Sequence, residues 1–409
     1  MKLLISAYAC APNRGSDHGV GWNWTTEAHR LGHEVWALAS PAHRDSIENA
    51  CRSAPDLEGI RWSFPEVGGW PLQQAIEPKW ERTYNFLWQR AAVHHARALH
   101  QQVGFDAIHH LTWAGIRAPT FLGGLGAPLI IGPVGGGETS PASLRDDLGF
   151  RGRLLERIRD LSSSMVTMSP VTRPGLVDAA VIFTSTADTQ KLFHGALRAK
   201  TIVFTQLALP ALPATCPPRD WNGPPRLLYA GRLLYWKGVH IALQAFAEIV
   251  KQEKDAHFTI VGDGPERYRL DADVKRYDLQ RNVEFALRLP QDELFKLYDS
   301  HHLFLFPSLH DSGGFVVLEA LSRGMPVVCL DLGGPGDMVT PEAGIVVATA
   351  GRTTPQVAAA MAEEMARLLG STERLEKLSS GAFARAQQFV LPDRIKKFYD
   401  IAAGFMRDR

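Results

Sequence analysis

Residues 306–326, FPSLHDSGGFVVLEALSRGMP, carry the strongest local signal in the chain. An apolar run, His302 to Phe306, precedes them and reads as a buried strand. A turn through Pro307 and Ser308 follows, then a helix from about Gly314 to Arg323, stopped by Gly324 and Pro326. Gly313 and Gly314 open that helix with almost no side chain, so a ligand can approach free backbone N–H groups. Glu319 lies among Phe315, Val316, Val317, Leu318, Ala320 and Leu321. A carboxylate in so apolar a helix is costly unless it is hydrogen-bonded. The structural alternatives are a capping role for Asp311 and a narrow polar stripe of Glu319 with Ser322.

Working outward, the chain alternates strand and helix twice. In the first half, strands are expected over 3–9, 33–39, 60–64, 107–110, 129–132, 179–185 and 200–204, with helices near 22–31, 42–52, 71–102 and 145–161. The residues 209–225 hold six prolines, Pro210, Pro213, Pro217, Pro218, Pro224 and Pro225, and no periodicity, which reads as a linker. The alternation then restarts, with strands over 226–229, 257–261, 283–285, 303–306, 327–330 and 345–347. The remainder is helical and ends in an apolar stripe of Ile395, Phe398, Ala402 and Phe405. This pattern predicts an α/β protein of two doubly wound sheets: a domain over 1–208, a linker over 209–225, a domain over 226–390, and a terminal helix over 391–409 returning to the first domain. Ligands of such sheets bind beyond the carboxyl ends of the strands.

Composition narrows the class. The 409 residues include 44 Lys plus Arg against 43 Asp plus Glu, so no global field points to nucleic acid. Cys10, Cys51, Cys216 and Cys329 lack metal-ligand or disulfide spacing. MKLLISAYAC reads as a first strand and not a signal peptide, and no apolar run is long enough to span a bilayer. A cytoplasmic location is expected. Arg145 to Arg159 mixes five arginines with acids; it reads as a solvated helix face, with peripheral membrane contact or an anionic acceptor as the other reading. The aromatics near Trp80 to Trp88 read as core, with an acceptor site as the alternative.

After the first strand of the second half comes YAGRLLYWKG, residues 229–238. Arg232 and Lys237 stand by a helix N-terminus, where the macrodipole disfavours cations; a bound phosphate would reconcile them. Gly231-Arg232, four residues and Lys237-Gly238 resemble the donor-diphosphate clamp of the group 1, E-x7-E family of retaining, nucleotide-sugar-dependent glycosyltransferases. Val261 to Pro265 is similar to that family's turn after the second strand. Asp311 and Glu319, spaced by seven residues, resemble its paired acids, and Asp331 to Asp337 its Gly-rich segment. These motifs cover residues 226–347 in the family's order.

The resemblance implies the GT-B fold, with two Rossmann-like domains facing a central cleft, and transfer of a sugar from a nucleoside diphosphate sugar to an acceptor hydroxyl, in glycan, polysaccharide or glycoconjugate biosynthesis. By position, Glu319 would bind the ribose hydroxyls and Asp311 would stabilise the donor sugar. Arg232 and Lys237 would neutralise the leaving diphosphate without a metal. The amides of Gly313, Gly314 and Phe315 would add donors, and Arg288 would contact the base. Gly19 and Gly21 resemble the glycine loop that approaches the donor phosphates. His110 is the candidate among His109 and His110 for a substrate contact, with a structural histidine as the alternative. No resident cofactor is implied; UDP- or GDP-sugar is the expected donor, and a glycan or small molecule the acceptor. The oligomeric state stays open. Two features depart from the family: Asp311 replaces a Glu, and Leu287 a Gly. An epimerase or hydrolase on the same fold, or a binding protein without catalysis, are the competing readings.

Overall fold

The computed structural model describes residues 1–70, 79–145, 148 and 150–407. Its two sheets are wholly parallel. In the first, β1 (Lys2–Ser6), β2 (Glu34–Leu38), β3 (Arg61–Ser63), β4 (Ala107–His110), β5 (Leu129–Val134), β6 (Ala179–Thr184) and β7 (Thr201–Val203) lie in the order β3-β2-β1-β4-β5-β6-β7. In the second, β8 (Arg226–Ala230), β9 (His257–Val261), β10 (Val283–Ala286), β11 (Leu303–Phe306), β12 (Val327–Leu330) and β13 (Gly344–Val347) lie in the order β10-β9-β8-β11-β12-β13. Strands of a parallel sheet covered on both faces are apolar throughout. β11, Leu-Phe-Leu-Phe, is fully buried in this way.

The chain forms two compact units. One holds residues 1–137, 159–210 and 391–409, and the other 138–158 and 211–390. The segment 138–158, expected with the N-terminal domain, belongs instead to the C-terminal unit. From residue 211 the proline-rich segment also belongs to that unit. Arg219 explains part of this, since its guanidinium donates to the carbonyls of Tyr298, His301 and Arg323 at the ends of two helices. Carbonyls at helix C-termini have no partner within the helix, and a cation there also suits the dipole.

The terminal helix Leu391–Arg407 is part of the first unit. Phe398 is fully buried, with its ring 4.0 Å from Phe183, 4.9 Å from Trp24 and 5.0 Å from His109. The Tyr399 hydroxyl lies 2.9 Å from His109 Nδ1. The helix expected over 71–102 is described over Glu81–Val103, where Tyr84 and Trp88 are core; residues 71–78 lie outside the described residues.

His109 and His110 are both buried. Adjacent strand residues point to opposite faces, but helices cover both, so neither ring reaches solvent. Burial lowers the His109 pKa to about 4 and the His110 pKa to about 3, the latter with a contribution from His109. Both fold as neutral rings. An unfolded histidine takes up its proton near pH 6.5, so below that pH the unfolded chain binds more protons and stability falls as pH falls. Each such ring costs about 1.4 kcal/mol per pH unit. The melting temperature of His110→Leu is therefore expected to fall less between pH 7 and pH 5 than that of the parent; equal falls would show that His110 titrates normally.

Candidate functional site

In both sheets the strand order reverses beside the first strand: between β1 and β4, and between β8 and β11. Such a switch point leaves a crevice beyond the strand ends. In the second unit, the loops that leave β8 and β11 carry Arg232, Lys237, Asp311, Gly313 and Gly314. The topology thus collects the residues singled out in the sequence at one edge.

Glycine sets how closely these loops approach. Gly238, at φ +69°, caps the helix Val239–Gln252, and a Cβ there would fall 1.9 Å from the Pro307 carbonyl oxygen. The Lys237–Gly238 turn consequently lies directly on the Pro307 backbone. Leu309 N donates to Trp236 O at 2.7 Å, and Ser308 Oγ to the same oxygen at 3.1 Å. Gly333 and Gly334 do the same on the other side. A Cβ at Gly334 would meet the Ser312 and Gly313 carbonyls at 2.7 Å, and Gly334 N donates to Asp311 O at 2.7 Å. The Gly-rich segment is therefore the floor under the Asp311 loop. Asp331 serves that floor, accepting from Thr349 N and Oγ1.

Lys237 and Asp311 form an ion pair, with both side chains about four-fifths buried. The Lys237 ammonium also lies 5.1 Å from the centre of the Phe306 ring. The Arg232 side chain is exposed, and no acid among the described residues pairs with it. The two cations are thus unequal: Lys237 is held and charge-compensated, and Arg232 is open to a ligand. The helix Phe315–Ser322 starts at Gly314, at φ +120°. Its ladder begins with Val317 N and Leu318 N on Gly314 O, so the amides of Gly314, Phe315 and Val316 lie outside it.

Glu319 is held from the neighbouring helix Gln291–Ser300. Gln291 Nε2 donates to Oε1 at 2.7 Å, and the Tyr298 hydroxyl to Oε2 at 3.3 Å. Burial raises the Glu319 pKa, and the two hydrogen bonds oppose the rise. Sequence reading missed Gln291 and Tyr298, although both lie on one face of their helix, two turns apart. It also missed His310, whose ring stacks on Trp236 at 5.3 Å and lies 3.7 Å from Glu156 Oε1. Ser312 Oγ donates to Glu138, and the Tyr235 hydroxyl to Leu144 O at 2.7 Å. Glu138 thereby stands beside Asp311, through its hydrogen bond from Ser312. Arg288 and Leu287 are exposed after β10.

The N-terminal expectations change. The first helix is Ser16–Arg30, six residues longer at its start than expected, and contains Gly19 and Gly21. The amides free of a helical ladder are those of Gly15 to His18, so Gly19 and Gly21 do not present N–H groups to a ligand. Their role is packing: a Cβ would lie 2.1 Å from Arg14 O and from Ala9 O respectively. His110 is buried, ring nitrogens included, and lines a cavity of about 10 Å³ with Ala114, Ile116, Thr120, Ile131 and Thr172, so it is not placed to touch a substrate.

The sequence profile described as glycosyl transferases group 1 matches residues 219–385. The 2-deoxystreptamine glucosyltransferase of Streptomyces kanamyceticus is 33% identical over 148 residues, 36% of this chain and 35% of that protein. The chain spans about a third of the length of the curated relatives it matches. Sucrose-phosphate synthase from Thermosynechococcus elongatus matches over 100% of both chains with a TM-score of 0.65 at 18% identity. Anabaena HepE, solved with UDP and glucose, matches over 99% of this chain and 100% of its own, with a TM-score of 0.58 at 15% identity. These likenesses establish the fold as GT-B, built of two Rossmann-like domains.

The close loop contact is testable. Gly238→Ala is expected to cost about 2–4 kcal/mol, from a strained φ together with overlap on a rigid carbonyl. Urea melts would measure this, and an unchanged midpoint would mean that the turn can move off Pro307.

Proposed function

We propose that this chain, whose residues 219–385 belong to glycosyl transferases group 1, is a retaining glycosyltransferase that uses a nucleoside diphosphate sugar and needs no metal. The observation that carries the reading is the convergence at the β8/β11 switch point of an unpaired Arg232, a held Lys237 and the open amides of Gly314 to Val316. That set suits a diphosphate: two cations and a helix N-terminus offset its charge without a divalent ion. Glu319, held by Gln291 and Tyr298, has the chemistry to accept from two vicinal ribose hydroxyls. Arg288, exposed beyond β10, is the candidate for the base. HepE, of the same fold, holds UDP and glucose, which favours a UDP-sugar over a GDP-sugar as the donor to test first.

In this reading Asp311 does two things. It fixes the Lys237 ammonium, and its negative charge stabilises the positive charge that develops on the donor sugar as the glycosidic bond breaks. The departing phosphate would take the proton of the acceptor hydroxyl on the same face, giving retention. The acceptor is a glycan or a small molecule bound by the N-terminal domain; Gly19, Gly21 and His110 are not offered as its contacts. Closing the site against water would keep the sugar from hydrolysis.

The test is thermal stabilisation by UDP, GDP, ADP and TDP in the presence of a chelator, since a ligand of the folded state raises the melting temperature by mass action. UDP is expected to stabilise, and no shift with any nucleotide would sink the donor site. Glu319→Ala removes hydrogen bonds to a charged acceptor and is expected to weaken UDP binding about 10- to 100-fold. Lys237→Ala is expected to lower kcat more than it weakens UDP binding, because the leaving diphosphate gains charge as the bond breaks. An unchanged transfer rate in Lys237→Ala would remove Lys237 from the mechanism. Donor consumption without acceptor would instead assign hydrolysis.

A further inference from the structure

We infer that the helix Phe150–Ser164 is a docking surface for an anionic lipid bilayer. Soluble helices turn their apolar stripe inward. This one turns it outward: Leu154, Leu155, Ile158 and Leu161, with Met165 just beyond the helix end, are 46–67% exposed. Positions 154, 158, 161 and 165 follow the four-and-three spacing of one helical face, with Leu155 broadening it. At about 100° per residue, Arg153 and Arg157 fall on one shoulder of the stripe, and both are exposed. The acids lie further round the helix, Asp160 beside Arg153 and Glu156 beyond it, and both are drawn in from the surface. Glu156 is largely covered and lies 3.7 Å from His310 Nε2, and Asp160 Oδ1 is buried.

Charge and apolarity are therefore sorted around one helix into an aliphatic strip edged by arginine, with its carboxylates withdrawn. A protein partner covering such a strip has no need of cations along its edge. An anionic headgroup layer over hydrocarbon needs both features, in this order from edge to centre. The helix would lie in the plane of the interface, its leucines in the acyl boundary and its guanidinium groups on the phosphates. Among the described residues no helix is long and apolar enough to cross a membrane, which fits a surface contact. The strip stands apart from the donor site: none of its exposed side chains, nor Arg153 or Arg157, belongs to that site.

The test is co-sedimentation of the full chain with vesicles of phosphatidylcholine alone and of phosphatidylcholine with one-third phosphatidylglycerol, at low and high salt. Binding is expected to the anionic vesicles and to weaken with salt. Arg153→Gln with Arg157→Gln is expected to weaken it roughly 30-fold, the loss for two basic contacts with an anionic surface. Leu155→Gln with Ile158→Gln is expected to weaken it by about tenfold or more. These side chains are exposed, so melting temperature and UDP stabilisation should match the parent, separating loss of docking from loss of fold. Absence of binding to anionic vesicles overturns the inference, as does equal binding by the variants. Self-association abolished by Leu155→Gln with Ile158→Gln, without vesicle binding, would assign the strip to a second copy and overturn it too.

Discussion

The C-terminal unit depends on one steric constraint: the loops leaving β8, β11 and β12 touch backbone to backbone. Gly238 lies on the Pro307 carbonyl, and Gly334 on the carbonyls of Ser312 and Gly313. A similar contact joins β8 to β9, where a Cβ at Gly262 would fall 1.9 Å from Gly231 O. Side chains hop between rotamers, but stacked peptide planes do not. A site assembled this way is positioned by the sheet itself, so little reorganisation is left to be done when a ligand arrives.

Much of this was legible in the sequence because parallel sheets write a plain pattern. Short apolar strands alternating with helices gave the strands to within a few residues, and proline density marked where the alternation restarts. Glycines at strand ends flagged the loops that matter. What was illegible is long-range. Nothing local says that Glu138 bonds Ser312, 174 positions away, or that 138–158 folds with the second unit. The holders of Glu319 lie 28 and 21 residues before it.

Gly19 and Gly21 misled for a physical reason. Glycine is a poor helix former, so the pair read as loop. It is used inside the helix because Ala9 and Arg14 carbonyls leave no room for a Cβ, and packing overrides propensity. His110 misled differently. Period-two alternation puts one of two neighbours on each face of a strand, but it does not say whether either face is open. In a sheet covered on both sides neither is, and both histidines became neutral core residues.

The Lys237–Asp311 pair bears on the substitution of Asp for the family's Glu. An isolated carboxylate at the edge of a diphosphate site would repel the ligand. Paired to Lys237, it does not act as a free negative charge, and the shorter side chain is met by one of the longest cations available. In the proposed donor complex the ammonium would be shared between two anions, a fixed one from the protein and a transient one from the ligand. As the glycosidic bond lengthens, negative charge grows on the diphosphate and positive charge on the sugar. In that proposal Lys237 would strengthen its bond to the first while Asp311, partly released, would turn its charge to the second. In the proposed reaction the pair would respond to both charges of a single bond-breaking event, which would give it a larger effect in the transition state than in the ground state. Asp311 itself is set by its partner Lys237 and by the Gly333–Gly334 floor beneath it.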